Sequence, residues 1–284
     1  MSLGNTLAIA DATVALDPAK KLGSYTGPGL TSKRQITVSL YSAPRGAGIV
    51  FFLSDAQNTA SAVAVPARAS MVVNTMRNVG LGVDKVRLCI VEHFLCATTL
   101  WGIDDLYVSV DGPEMPLHDG SADFWINLFK ESGITKQEVV CDIALPEAVT
   151  VAKGDRALMA VPADKFSVTY LMDWKHPLIG QKWQSWDPSI DAKEIFEART
   201  FGMLKDHILL GLDKDVVSMT DDGFTMPLRY PDEPVRHKLL DLIGDLALIG
   251  INPMRIKARF ISIKGGHEMD VDIARKLVSL LGTY

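Results

Sequence analysis

Apolar and polar positions alternate, or run together as β-branched stretches, over residues 35–40, 48–52, 85–89, 106–110, 147–151, 166–172 and 255–263. A period of two with Val, Ile, Phe and Tyr at the repeating positions predicts strands there. Apolar residues recur at intervals of three and four over 91–100, 121–132, 190–201, 233–248 and 271–281, which predicts helices. Strands that give way to helices more than once predict an α+β chain.

The order of elements repeats. Val91-Glu92-His93 opens a helix, a strand follows at 106–110, then the turn Asp111-Gly112-Pro113, then a helix after Asp119-Gly120-Ser121. Half a chain later Val235-Arg236-His237 lies in an apolar helix. A strand at 255–263, the turn Gly265-Gly266 and another helix follow. This pattern predicts a duplication: two similar domains, each a β-sheet layer with two helices. The boundary is placed in the polar stretch 133–141, giving domains 1–138 and 139–284. A length of 284 residues accommodates two modest domains at ~150 residues each.

Composition narrows the class. Apolar residues make up 48% and charged residues 22%, which excludes a disordered chain. A net charge of −5 argues against a nucleic-acid partner. No run approaches the ~18 uncharged apolar residues of a transmembrane segment. No Lys or Arg precedes Lys20, so the N-terminus does not read as a signal peptide. Cys89, Cys96 and Cys141 are odd in number and scattered, and read as small core residues in a reducing compartment. A cytoplasmic monomer is expected.

His237 and Asp241, four apart, share one helix face and form a workable zinc clip of imidazole nitrogen and carboxylate oxygen. Asp245 lies one turn on, among Leu239, Leu240, Leu242, Ile243, Leu246 and Leu248. Carboxylates in such a helix need a metal, a cation or hydrogen bonds, unless they form a solvated acidic edge. Glu92-His93 puts a second carboxylate and imidazole just past an apolar strand. A ligand His beside a Glu suits metal-assisted hydrolysis, although His93 alone also reads as a core histidine. His267 follows Lys264-Gly265-Gly266, where it could protonate a leaving amine, donate to an oxyanion, or merely cap the next helix. His118, His176 and His207 read as turn or surface residues.

Eight stretches in order are together specific. They are Thr26-Gly27-Pro28-Gly29-Leu30, Val91-Glu92-His93, Gly102-Ile103-Asp104-Asp105-Leu106, Asp111-Gly112-Pro113-Glu114-Met115-Pro116 and Asp119-Gly120-Ser121-Ala122. Ala198-Arg199-Thr200-Phe201-Gly202, Val235-Arg236-His237-Lys238 with Asp241 and Gly244-Asp245, and Lys264-Gly265-Gly266-His267 complete the set. The chain thereby resembles the zinc-dependent UDP-3-O-acyl-N-acetylglucosamine deacetylases of lipid A biosynthesis.

The resemblance implies an active site in the cleft between two domains of one fold, and an acylated nucleotide-sugar substrate. It implies Zn2+ on His93, His237 and Asp241, Glu92 as general base and His267 as general acid. Thr200 would stabilise the oxyanion and Asp245 would orient His267. Lys238 and Lys264 would lie near sugar and diphosphate, and Phe201 and Trp174 beside the substrate, with Trp174 next to the uracil. Two departures stand out. Thr31 occupies a position where the family has a histidine near the phosphates. The stretch between Phe201 and Val235 lacks the family's Gly-Gly-Ser signature and reads as shortened. Leu204, Ile208, Leu209, Leu210, Leu212 and Val216 there could line a short acyl passage or pack the core. The departures leave room for a zinc deacylase acting on another N-acylated sugar or amine. A catalytically silent binding protein would have lost Glu92, a ligand or His267, and none is lost.

Overall fold

The structure is a computed structural model that describes residues 16–55, 58–212 and 216–282. Most of the N-terminal stretch read above for a signal peptide, residues 1–15, lies outside the described residues. The chain is α+β, with two main sheets packed against helices.

The first half begins with β1 (Lys21–Pro28), β2 (Gln35–Ser42), β3 (Ile49–Asp55) and β4 (Asn58–Pro66). A small antiparallel sheet follows from β5 (Val72–Asn74), β6 (Gly80–Val83) and β7 (Val86–Cys89). Then come α1 (Glu92–Trp101), β8 (Leu106–Val110) and α2 (Asp123–Glu131). The large sheet has the order β1-β2-β8-β3-β4, and only β3 and β8 are parallel. Burial alternates along β8, as expected for a sheet with one face on the core. Phe51, Val108 and Val110 meet Phe94 and Leu95 of α1 and Trp125 and Phe129 of α2 in that core.

No regular element occupies residues 132–142. The second half contains β9 (Ile143–Ala144), β10 (Val149–Lys153), β11 (Arg156–Pro162), β12 (Ser167–Trp174), β13 (Gly180–Trp186), α3 (Lys193–Phe196), β14 (Phe201–Met203) and α4 (Leu204–Leu210). It ends with β15 (Val217–Met219), α5 (Glu233–Leu246), β16 (Ile256–Ile263) and α6 (His267–Leu281). Its main sheet runs β10-β11-β16-β12-β13, with one parallel pair along that path, β12 with β16, and β9 added as a short parallel partner of β16. Strand order and sense therefore match the first sheet position by position.

Helices α1 and α5, one from each half, pack directly on each other. Gly244 permits it, since a Cβ there would overlap the carbonyl oxygen of Glu92. This contact brings the start of α1 against the middle of α5.

Three expectations need correction. The helix predicted over 190–201 is only the four residues of α3. Beyond it the backbone is drawn out by other partners: Arg199 N–H donates to Glu233 and Thr200 N–H to the Gly120 carbonyl, at 3.0 and 2.8 Å. The last helix starts at His267 rather than at 271, so His267 belongs to its first turn. All three cysteines are free, but only Cys96 is buried; Cys89 and Cys141 lie at half-exposed strand or loop positions.

Candidate active site

Two helix starts and one helix middle supply the site. Glu92 and His93 open α1, His237, Lys238, Asp241 and Asp245 lie along α5, and His267 opens α6. Both loops feeding the helix starts carry a non-glycine residue at positive φ: Ile90 at 63° and Lys264 at 52°. For β-branched Ile90 that conformation costs about 1–3 kcal/mol. It is held by packing on Leu117, Leu212 and Val216.

His93 Nε2 and His237 Nε2 lie 3.7 and 3.4 Å from Asp241 Oδ1, and all three residues are at least 95% buried. Their ligand atoms lie within 4.8 Å of one another. The two imidazole rings stand edge to face, 5.0 Å apart. His237 Nδ1 is 3.0 Å from the Ala198 carbonyl, so it donates there and leaves the Nε2 lone pair free. Burial, with the charge of Lys238 adding to it and Asp241 opposing, pushes His237 down to about 4, so the ring is neutral at pH 7. Burial alone would raise Asp241, but Lys238 at 2.6 Å and His237 hold it well below the usual carboxylate range. Two imidazoles and one carboxylate are the donor set of an open, three-ligand zinc site. The residues fit that ion.

Glu92, 3% exposed, accepts from the Val79 N–H at 3.0 Å through Oε2. Across the site Asp245 Oδ2 accepts from His267 Nδ1 at 2.7 Å. Burial would lower His267, but Asp245, with the charges of Asp241 and Glu92, raises it to about 10. His267 is therefore cationic at neutral pH, the state of a proton donor.

The remaining candidates form a rim. Ala198, Thr200 and Phe201 belong to one extended segment against α5, and the Phe201 ring lies 6.0 Å from His237. Gly120, at φ 81°, lets Thr200 lie against it, since a Cβ there would strike the threonine side chain. Trp174 stands 5.2 Å from Phe201 and is 38% exposed. Lys264 reaches Asp173 and Asp155, at 2.8 and 2.9 Å. These four residues flank the buried cluster without entering it.

Sequence reasoning missed several participants. Asp270, 1% exposed and one turn into α6, joins Asp245 and His267 within 4.8 Å. Arg199 and Glu233 form a buried ion pair at 2.8 Å that pins the 198–201 segment to the start of α5. Thr31 is tied down: its hydroxyl and N–H both donate to buried Glu114, at 2.6 and 3.0 Å. His207, expected at the surface, is buried in α4 with Nδ1 2.7 Å from Ser218 Oγ. It faces inward because α4 bridges the parallel pair β14 and β15. His118 is half-buried, stacked on Phe124 at 3.4 Å. Of the apolar residues beyond Phe201, Leu212 and Val216 pack the core. Ile208, Leu209 and Leu210 are exposed at 57, 85 and 36%.

Comparison with known proteins agrees with this geometry. The sequence model of the family described as UDP-3-O-acyl N-acetylglycosamine deacetylase matches residues 19–279. The chain is similar to the UDP-3-O-acyl-N-acetylglucosamine deacetylase of Nostoc sp., with 33% identity over 90% of this chain and 96% of the relative. It is 37% identical to the Myxococcus xanthus enzyme over 91% and 85%, and 32% identical to that of Coxiella burnetii over 92% and 89%. With its buried His, His, Asp cluster facing a glutamate and a carboxylate-held histidine, the chain belongs to the UDP-3-O-acyl N-acetylglycosamine deacetylase family.

Proposed function

We propose that this chain hydrolyses the acetamide of UDP-3-O-acyl-N-acetylglucosamine with zinc on His93, His237 and Asp241. The observation that carries the reading is the convergence of those donors, with Glu92 and the Asp245–His267 pair beside them. When bound, zinc supplies a Lewis acid for the amide carbonyl and acidifies the attacking water. Glu92 takes the proton of that water as it adds to the carbonyl carbon. His267, charged and oriented by Asp245, gives its proton to the amine nitrogen as the C–N bond breaks, so acetate and a free amine leave. Thr200 donates to the developing oxyanion. Lys238 and Lys264 meet sugar and diphosphate, while Phe201 and Trp174 line the substrate's flank.

In this reading the chain is two similar domains, 1–138 and 139–284, with the substrate in the cleft between them. The matched strand order of the two sheets supports it. It acts as a cytoplasmic monomer; no described helix is long and apolar enough to cross a membrane.

The substrate's acyl chain meets a shortened wall between Phe201 and Val235. Exposed Ile208, Leu209 and Leu210 on α4 support an open groove rather than a closed passage. Each methylene buried in a closed passage contributes about 0.8 kcal/mol, so the dependence on chain length should be shallow here. The test is acetate release by the zinc-loaded protein from UDP-sugars carrying short, medium and long 3-O-acyl groups. A steep rise in kcat/KM toward long chains refutes the open groove. A second reading, a zinc deacylase for another N-acylated sugar or amine, draws on Thr31 being engaged by Glu114 instead of facing a phosphate. Zinc-loaded protein that turns over none of these UDP-sugars would favour it.

A further inference from the structure

Asp270 lies on α6 one turn after His267 and beside Asp245 of α5. The two carboxyl groups are within hydrogen-bonding reach of each other, and both are at least 99% buried. Neither Asp245 Oδ1 nor Asp270 Oδ1 receives a hydrogen bond from any other group. Two ionised carboxylates cannot face each other in a buried site without a donor between them. Among the described residues none donates to either oxygen, and a proton held by the pair itself fills that place.

We propose that Asp270 is a positioning residue for His267: it shares one proton with Asp245, which closes the unfilled Oδ1 side of Asp245 and leaves Oδ2 aimed at the imidazole. The pair then carries one negative charge. That charge balances the imidazolium and keeps the ring from rotating about the single Asp245 contact. The surroundings favour this state. His267 faces Asp270 from its own helix, Lys238, Asp241 and Asp245 from α5, and Tyr170 and Ser262 lie close by on β12 and β16, while Glu92 of α1 acts on Asp245. Burial is the largest influence on Asp270 and holds it up at about 6 against the pull of His267 and Lys238. Burial likewise raises Asp245. An amide at position 270 would donate to Asp245 permanently and mimic the shared proton; a methyl would leave Oδ1 bare.

This proposal rests on His267 being the proton donor, and its test separates the two ideas. Zinc-loaded wild type, Asp270→Asn and Asp270→Ala are compared in acetate release, in zinc content and by infrared difference spectroscopy at neutral pH. Asp270→Ala should lower kcat by about tenfold or more with KM and zinc content unchanged. Asp270→Asn should recover most of that loss. The wild type minus Asp270→Asn spectrum should contain a carboxylic-acid carbonyl band that shifts on exchange into D2O. Full kcat in Asp270→Ala, or absence of that band, overturns the shared proton. If Asp270→Ala does not fold, a folded Asp270→Asn with kcat as low as that of a His267 variant overturns it equally. If the wild type releases no acetate from any UDP-sugar, the deacetylase reading fails, while the infrared band still decides whether Asp245 and Asp270 share a proton.

Discussion

Single side chains in this site are defined by what they are denied as much as by what they touch. In the proposed mechanism Glu92 and His267 are the two proton-transfer groups, each held by a partner of its own, the Val79 N–H and Asp245. Glu92→Ala and His267→Ala should each lower kcat by ~10²-fold or more with zinc retained, checked by kinetics beside metal analysis. Loss of zinc in Glu92→Ala would make Glu92 a ligand instead. Because His267 is raised to about 10, the alkaline limb of kcat/KM should lie well above neutrality and be absent in His267→Ala. The same shift stabilises the fold fully below the imidazole's unfolded value of about 6.5 and is lost as pH rises through 10. Most of this was legible in the sequence. The four-residue spacing of His237 and Asp241 places them on one helix face, and Glu92-His93 interrupts an apolar run. Asp270 was not legible: an aspartate between Met269 and Val271 resembles any polar helix position until α5 is laid against it.

At the level of elements, strands β2, β3, β8, β12 and β16 and the long helices followed from periodicity alone, because each has one face on the core. Strands β1, β4, β11 and β13 escaped, as did the short β5, β6 and β9; β1, β4 and β13 lie at sheet edges or carry Gly, Ser, Lys and Gln, which blur alternation. The β14–α4–β15 unit escaped for another reason, since three-residue strands are too short to show a period. The overlong helix at 190–201 failed because long-range partners, Glu233 and Gly120, outbid local helix bonds. Glu233 is held below the usual glutamate range: burial would raise it, but Arg199 and backbone N–H donors of Arg199 and Arg229 prevail. Its contribution is present above the unfolded value of about 4.3 and disappears as pH falls below it. Acid titration followed by thermal melting should show Glu233→Gln less stable than wild type at pH 7 and converging with it under acid. The α1–α5 contact offers a second check. Gly244→Ala improves helix propensity yet should destabilise by about 1–3 kcal/mol, because the added methyl meets the Glu92 carbonyl. Melting temperature and zinc affinity should both fall.

For the whole molecule, the decisive arrangement is that the donors able to hold a metal span the two halves, His93 from one and His237 and Asp241 from the other. An ion held there ties the halves together, and it stabilises only the folded chain. At 100 times its dissociation constant, a ligand of this kind adds about 2.7 kcal/mol. Chelation should therefore lower the melting temperature of the wild type and leave that of His93→Ala unmoved, read by scanning calorimetry. The duplicated topology was visible as the two Val-x-His helices. The packing of α1 on α5 was not, because no local pattern reports how the two helices approach.

The positive-φ residues Ile90 and Lys264 carry a consequence for anyone adapting this chain. Each stands two or three positions ahead of Glu92 or His267, in a conformation that an ordinary side chain adopts at a cost. A library selected only for heat resistance will be drawn to such positions, because relaxing them is a cheap route to a higher melting point. Those same torsions aim Glu92 and His267. Selection for robustness alone will thus erode turnover first at these two loop positions, ahead of the groups that would move protons, and libraries built on this scaffold should hold both fixed.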